Sequence, residues 1–265
     1  MPELPEVETI VEGLRPRIVG RRIESLELRR ARRVAIGDLG RAQGRRIRSL
    51  RRYGKHILFE LDRGLLVVHL GMTGQLLLDG EIGRHTHAIF GLEGGRTLLY
   101  NDARQFGRLE WTLRLPERLQ RLGPEPLEIG REEFVRRFRS RRTMAKALLL
   151  DQRFLRGVGN IYADEALFRA GVHPRAKSER LPPARAAALH RAIVGVLKEA
   201  IRLGGSSISD YVASDGSLGS FQVEHRVYGR AGEPCVTCGS RLRRILVASR
   251  GTHFCPRCQR TRQVR

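Results

Sequence analysis

Two Cys-x-x-Cys pairs, Cys235/Cys238 and Cys255/Cys258, stand 16 residues apart (239–254) near the end of the chain. No other feature restricts the fold so tightly. Each pair forms a tight turn that presents two thiolates to one ion, and the intervening segment must double back as a hairpin to bring the turns together. Four thiolates at this spacing describe one closed, tetrahedral zinc ion of the structural kind. An iron–sulfur centre or a dithiol redox pair would draw on the same residues. The hairpin carries Arg241, Arg243, Arg244 and Arg250, so the ion is expected to hold a basic loop against phosphate.

A chain of 265 residues has room for about two domains. It carries 50 Lys and Arg against 28 Asp and Glu, a net charge of +22. Most of the positive charge is arginine, whose planar fork suits phosphate. That excess points to a polyanion, nucleic acid first and an anionic membrane second. No stretch is apolar enough to span a bilayer. Glu3, Glu6, Glu8 and Glu12 are unlike the basic start of a signal peptide. A cytoplasmic protein is expected, and its cysteines should not pair as disulfides.

Apolar residues Val7, Ile10, Val11, Leu14 and Ile18 fall at helical spacing over 5–19. Short alternating runs follow at 55–61, 65–70, 75–78, 87–92, 97–101 and 108–112, separated by turns such as Asp62-Arg63-Gly64. They predict antiparallel strands in a sandwich or flattened barrel. Gly123-Pro124-Glu125-Pro126 reads as a linker. Helical patterns return at 132–138, 144–150, 160–170 and 183–203, and a long Gly/Ser-rich segment begins at Gly204.

Several residues could carry chemistry. Removal of Met1 would expose the secondary amine of Pro2 beside Glu3. An α-amine is far less basic than lysine, and a secondary amine attacking an aldehyde carbon yields an iminium that acts as an electron sink. Glu3 would be its acid or base. Alternatively, Pro2 and Pro5 only start a helix. Gly157-Val158-Gly159-Asn160 precedes a helix and could cradle a phosphate. His85-Thr86-His87 lacks a neighbouring carboxylate or third histidine, so a DNA contact or a packed surface histidine is expected rather than a metal site. In a regular strand His85 and His87 would face one side. His69 closes an apolar run and is either a satisfied structural histidine or a DNA contact. Met72 and Phe106 sit in turn-like segments, where apolar tips can wedge into a base stack or tuck into the core. Lys55 follows Tyr53-Gly54 and could reach a phosphate or an active site.

Taken in order, MPELPEVET, RRYGKHILFEL, HLGMTG, NDARQFG, GVGNIYADEALF, VYGRAGEPC and FCPRCQR resemble the bacterial formamidopyrimidine-DNA glycosylase family over nearly the whole chain. The resemblance implies an α+β chain. Its parts would be an N-terminal antiparallel β-sandwich with an N-terminal helix (1–115), a linker (116–130), a helix–two-turn–helix domain with a lesion-capping loop (131–227) and a C-terminal zinc finger (228–265). Double-stranded DNA would lie in a cleft between domains. The implied activity is excision of 8-oxoguanine and formamidopyrimidines, followed by nicking at the abasic site.

By motif, Pro2 is similar to the nucleophile on sugar C1′, Glu3 to the acid/base and Lys55 to a lysine supporting elimination. Arg250 is similar to the finger arginine that grips the lesion's phosphates, and Asn160 to a further phosphate ligand. Met72, Arg104 and Phe106 match the residues that fill the gap of the flipped nucleotide. His85 and Arg141 match further DNA contacts, and residues 204–227 resemble a mobile loop closing over the extruded base. The chain departs from the family pattern at Ala103, Gln105, Arg153 and Arg156. One structural zinc, no membrane partner and a monomer complete the expectations. Two rivals remain at this level: an endonuclease VIII-type enzyme for oxidised pyrimidines, and a zinc-finger protein that binds DNA without catalysis.

Overall fold

Helix α1 (Leu4–Ile18) begins with a proline in its first turn and Glu6 near the positive end of its dipole. Its apolar stripe of Val7, Ile10, Val11, Leu14 and Ile18 is fully buried. Burial of each such side chain is worth roughly 1.5–3 kcal/mol, so tertiary packing fixes this helix more than propensity does. The computed structural model describes residues 1–29, 34–207 and 211–260. They fall into two units, Met1–Arg121 with Ala200–Gln222 and Leu122–Glu199 with Val223–Arg265.

In the first unit α1 is followed by β1 (Ile23–Leu28), β2 (Ala35–Ile36), β3 (Ile47–Tyr53), β4 (His56–Leu61), β5 (Leu65–His69), β6 (Gly74–Leu78), β7 (Thr86–Leu92), β8 (Arg96–Asp102), β9 (Arg108–Thr112) and the short α2 (Glu117–Gln120). The strands form a four-stranded sheet, order β1-β7-β8-β6, and a five-stranded sheet, order β2-β9-β5-β4-β3. Pairing is antiparallel except for the two-residue β2–β9 contact. Phe59 and Val68 of the larger sheet share one buried cluster with Leu76, Phe90 and Tyr100 of the smaller, and with Leu14 of α1.

The alternating runs correspond to β4 through β9. Three strands of this unit fall outside these runs, β1, β2 and β3. All three lie at sheet edges, where charged side chains blunt unwanted pairing. Accordingly β1 buries only Ile23, and β3 only Ile47 and Leu50.

In the second unit α3 (Arg131–Arg139), α4 (Ala145–Leu150), α5 (Asn160–Arg169) and the start of α6 (Pro183–Arg202) accompany the hairpin β10 (Arg243–Val247) and β11 (Arg250–Phe254). Residues 151–159 turn the chain between α4 and α5, the expected helix–two-turn–helix connection. The linker joins this unit through Gly123 N–H to Gln152 O, 2.8 Å, and Arg156 N–H to Pro124 O, 3.2 Å. Among the described residues no helix is long and apolar enough to cross a membrane.

Candidate active site, nucleic-acid interface and metal centre

Strand register gathers the candidates of the first unit. His56 at the start of β4 faces His69 at the end of β5, which faces Arg108 at the start of β9. Tyr53 pairs with His56 across a two-residue turn. Its first residue, Gly54, has φ +61°, the position where a II′ hairpin turn needs glycine. Lys55 fills the second position and is buried. The smaller sheet behaves alike: Gly74 opens β6 opposite Asp102 at the end of β8, and Asp102 N–H donates to His85 O, 3.0 Å. Turns carrying Lys55, Met72, His85, Arg104 and Phe106 therefore issue from matching strand ends.

The His69 and His56 rings lie against each other at a tilt of 39°, with centroids 4.8 Å apart. Burial, aided for each by neighbouring positive groups, lowers His56 to about 3 and His69 to about 4. Both rings are therefore neutral at pH 7. His69 Nδ1 accepts the Gly71 N–H, 3.3 Å, so this ring orients the turn that holds Met72.

Met72 and Phe106 do not tuck into the core. They are 42% and 52% exposed, and the Arg104 guanidinium lies 4.8 Å from the Phe106 ring centre. The fully buried carboxylate of Asp102 lies beneath both loops. It accepts from the Thr73 hydroxyl at 2.5 Å, the Gly107 N–H at 2.8 Å, the Arg104 N–H at 3.2 Å and the Tyr100 hydroxyl at 3.3 Å. Sequence reasoning passed over Asp102, because an acid at a strand end is usually solvated. A register shift between Thr86 and Ala88 interrupts alternation at His87. His87 is buried against Asp102 O, 2.8 Å, whereas Arg84 Nε donates to His85 Nε2, 2.9 Å.

At the chain's start Pro2 and Glu3 are buried, while Met1 is half exposed. Glu6 was missed as well. Its Oε2 accepts the Glu3 N–H, 2.8 Å, and its Oε1 accepts the Ser206 N–H, 2.8 Å. The three-residue spacing from Glu3 is the capping-box signature, the available signal. One carboxylate thus ties the entry of α1 to the Gly/Ser-rich segment. Of that segment, residues 208–210 lie outside the described residues. Tyr211 joins the sandwich core and donates to Gly204 O, 3.0 Å, and Leu78 N–H donates to Ser214 O, 2.9 Å.

In the second unit Asn160 opens α5, and its Nδ2 donates to Gly251 O, 3.0 Å. The same carbonyl accepts from Lys146 Nζ, 3.2 Å. Lys146 also lies 2.7 Å from Asp164, both side chains fully buried, and donates to Thr252 Oγ1, 2.8 Å. Asp164 accepts the His253 N–H, 2.8 Å. Neighbouring Glu165 accepts the N–H groups of Arg226, Val227 and Tyr228 at 2.9–3.0 Å. The Asn160, Lys146 and Asp164 contacts fix β11, whose first residue is the exposed Arg250. A charged residue inside otherwise apolar helices was the sequence signal for Lys146, Asp164 and Glu165.

Cys235, Cys238, Cys255 and Cys258 bring four sulfurs within 4.8 Å of one another. Cys235–Cys258 measures 3.9 Å and Cys238–Cys255 3.4 Å. A tetrahedron with Zn–S bonds near 2.3 Å has edges of about 3.8 Å, so the donor set fits zinc. Thr237 and Cys258 N–H groups donate to Cys235 and Cys255 sulfurs, 3.4 and 3.3 Å. Buried Gln259 accepts the Cys255 N–H, 2.8 Å, and donates to Val172 O, 2.9 Å.

Arg141 is exposed beyond α3. Arg153 is also exposed, and its N–H donates to Asp151. The Arg156 departure is compensated locally: its guanidinium contacts Glu125 Oε2 and Gly123 O, each at 3.2 Å, and so faces the linker.

Comparison with known proteins matches residues 1–109 to the formamidopyrimidine-DNA glycosylase N-terminal domain, 122–212 to its H2TH domain and 232–261 to the zinc finger found in FPG and IleRS. A formamidopyrimidine-DNA glycosylase of Solibacter usitatus is 54% identical, covering 98% of this chain and 100% of the relative. The crystal structure of the MutM (Fpg) protein of Thermus thermophilus superposes with a TM-score of 0.90 at 48% identity, covering 97% of this chain and 98% of that one. A Lactococcus lactis Fpg mutant in complex with Fapy-dG-containing DNA also gives 0.90, at 38% identity over 98% of this chain and 100% of that one.

Proposed function

Because the chain belongs to the formamidopyrimidine-DNA glycosylase family, we propose that it removes oxidised purines, 8-oxoguanine and formamidopyrimidines, from double-stranded DNA and nicks the abasic site it creates. The observation that carries the reading is the start of α1: Pro2 and Glu3 lie buried at its entry, which Glu6 ties to Ser206.

A base inside a duplex shields its C1′, so the nucleotide must first be flipped out, at a cost of a few kcal/mol. Met72, Arg104 and Phe106 fill the gap. Lys55, Asn160 and Arg250 grip backbone phosphates, with His69, His85 and Arg141 as further DNA contacts. One amide N–H of Asn160 serves Gly251, which leaves its second for an anion.

Once Met1 is removed, the Pro2 nitrogen bonds to C1′. The C1′–base bond breaks, the base departs with a proton, and the sugar ring opens to a cationic iminium. Glu3 handles the protons of base loss and ring opening. The iminium acidifies the C2′ hydrogen, and its removal expels the 3′ phosphate. Conjugation then permits loss of the 5′ phosphate, and water releases Pro2. Lys55 neutralises charge developing on the leaving phosphate. One zinc holds the finger that presents Arg250 and takes no part in bond-making. The enzyme acts as a monomer on cytoplasmic DNA.

Borohydride should trap a covalent complex between Met1-processed protein and an 8-oxoguanine duplex, with the sugar attached at Pro2. Equal trapping by a protein whose Met1 is retained would move the nucleophile to a side chain. Faster cleavage of thymine glycol than of 8-oxoguanine would shift the substrate to oxidised pyrimidines.

A further inference from the structure

We propose that Asp102 is a positioning residue that locks the Met72 loop and the Arg104/Phe106 loop into a single wedge, with the Thr73 hydroxyl as the link between them. The inference rests on the wedge role assigned above.

A carboxylate with no exposed surface is strongly disfavoured unless donors surround it. Two of the four donors to Asp102, Arg104 N–H and Gly107 N–H, belong to the loop after β8, and one, Thr73 O–H, belongs to the loop before β6. Arg104 N–H is shared with Thr73 Oγ1, 3.1 Å, which closes the link. Separating the loops would strand a buried charge, so the two loops hold one arrangement.

Two further observations support the same reading. The loop backbones touch: a Cβ at Gly71 would lie 2.5 Å from Gly107 N and 2.6 Å from Phe106 C. On the far side Arg108 donates to Gln105 O, 3.1 Å, and Gly107 O, 2.6 Å. Asp102 thus takes the amides of the loop while Arg108 takes its carbonyls. Gln105, between them, is held at φ +56°, a conformation that a residue with a Cβ keeps only when its surroundings impose it. A wedge assembled in advance loses little conformational freedom when it enters the stack.

Thr73→Val keeps shape and removes only the link. In the free protein, amide exchange at Gly107 should rise at least tenfold in Thr73→Val, although Gly107 makes no bond to Thr73. Asp102→Asn should accelerate residues 71–74 and 104–107 together. A cycle of Met72→Ala and Phe106→Ala, read as affinity for lesion DNA over a tetrahydrofuran analogue, should be several-fold short of multiplicative. In the Thr73→Val background the same cycle should become multiplicative. Unchanged Gly107 exchange, a cycle insensitive to Thr73→Val, or exchange raised evenly across both sheets would overturn the proposal. If exchange behaves as stated but neither alanine variant alters lesion capture, the loops are coupled and the wedge reading is the one that fails.

Discussion

Replacing Lys146 by Met tests how the zinc hairpin is held. The Lys146–Asp164 pair is fully buried at 2.7 Å, and the methionine side chain nearly matches the volume of the lysine stem. The change leaves Asp164 charged, with the His253 N–H as its remaining strong donor. Removing one partner of a buried pair typically costs about 3–5 kcal/mol, because the other charge stays desolvated. Thr252 Oγ1 and Gly251 O also lose a donor, although Gly251 keeps Asn160. For a protein of this size each kcal/mol lowers Tm by about 2–4 °C, so the protein should melt roughly 6–20 °C lower. Calorimetry reports the loss, and zinc release to a chelator should accelerate in parallel, since β11 leads into Cys255.

Lys146→Met/Asp164→Asn is the informative control. Asparagine keeps an acceptor for His253 while removing the stranded charge, so the double variant should recover at least about 2 kcal/mol. A single variant within about 1 kcal/mol of the parent, or a double variant no better than the single, would refute the reasoning.

Three further outcomes follow from the same geometry. Cys238→Ser should lose zinc by metal analysis and weaken DNA binding, because it opens the closed sulfur set. His56, His69 and His225, which burial lowers to about 3, 4 and 4, favour the neutral ring in the fold. Their contribution is complete above about pH 6.5 and is lost as pH falls toward 4, by up to about 1.4 kcal/mol per unit for each group. Denaturant titrations at pH 7 and pH 5 should show that loss, and His225→Gln should reduce it. Arg250→Ala should weaken binding to damaged and undamaged duplexes alike and flatten the slope of log K against log salt by about 0.9.

The sequence made legible whatever repeats or ends in a turn. Strands β4–β9 alternate, α1 carries a five-residue apolar stripe, and the cysteine spacing alone demands the hairpin. Tips such as Met72 and Phe106 were legible as residues but not as exposed ones. Exposure depends on what lies beneath, and Asp102 is brought there by the pairing of β6 with β8. Glu6 is similar: its capping role is written at short range, but its bond to Ser206 joins residues 200 positions apart. Contacts of that kind have no local signature: Lys146, Asp164 and Glu165 stand out in the sequence only as charged residues inside apolar helices, and nothing local names their partners.

Where local rules break, the breaks coincide with the proposed DNA-contacting points. Among the described residues, Asp79, Gln105, Ala248 and Ser249 have positive φ without being glycine. Asp79 needs no special account, since aspartate tolerates this region and its side chain accepts the Thr97 N–H, 2.9 Å. Gln105 lies between Arg104 and Phe106. Ala248 and Ser249 form the two-residue turn immediately before Arg250, with Val247 paired to Arg250, where a I′ turn would favour Asn-Gly. Each cost of order 1 kcal/mol is borne beside a residue assigned to wedge or phosphate contact. A stability-driven sequence would relieve it with glycine, and a glycine turn would also let Arg250 wander. The retained strain and the buried carboxylate of Asp102 share one consequence: the side chains proposed to meet DNA are held in place before DNA arrives.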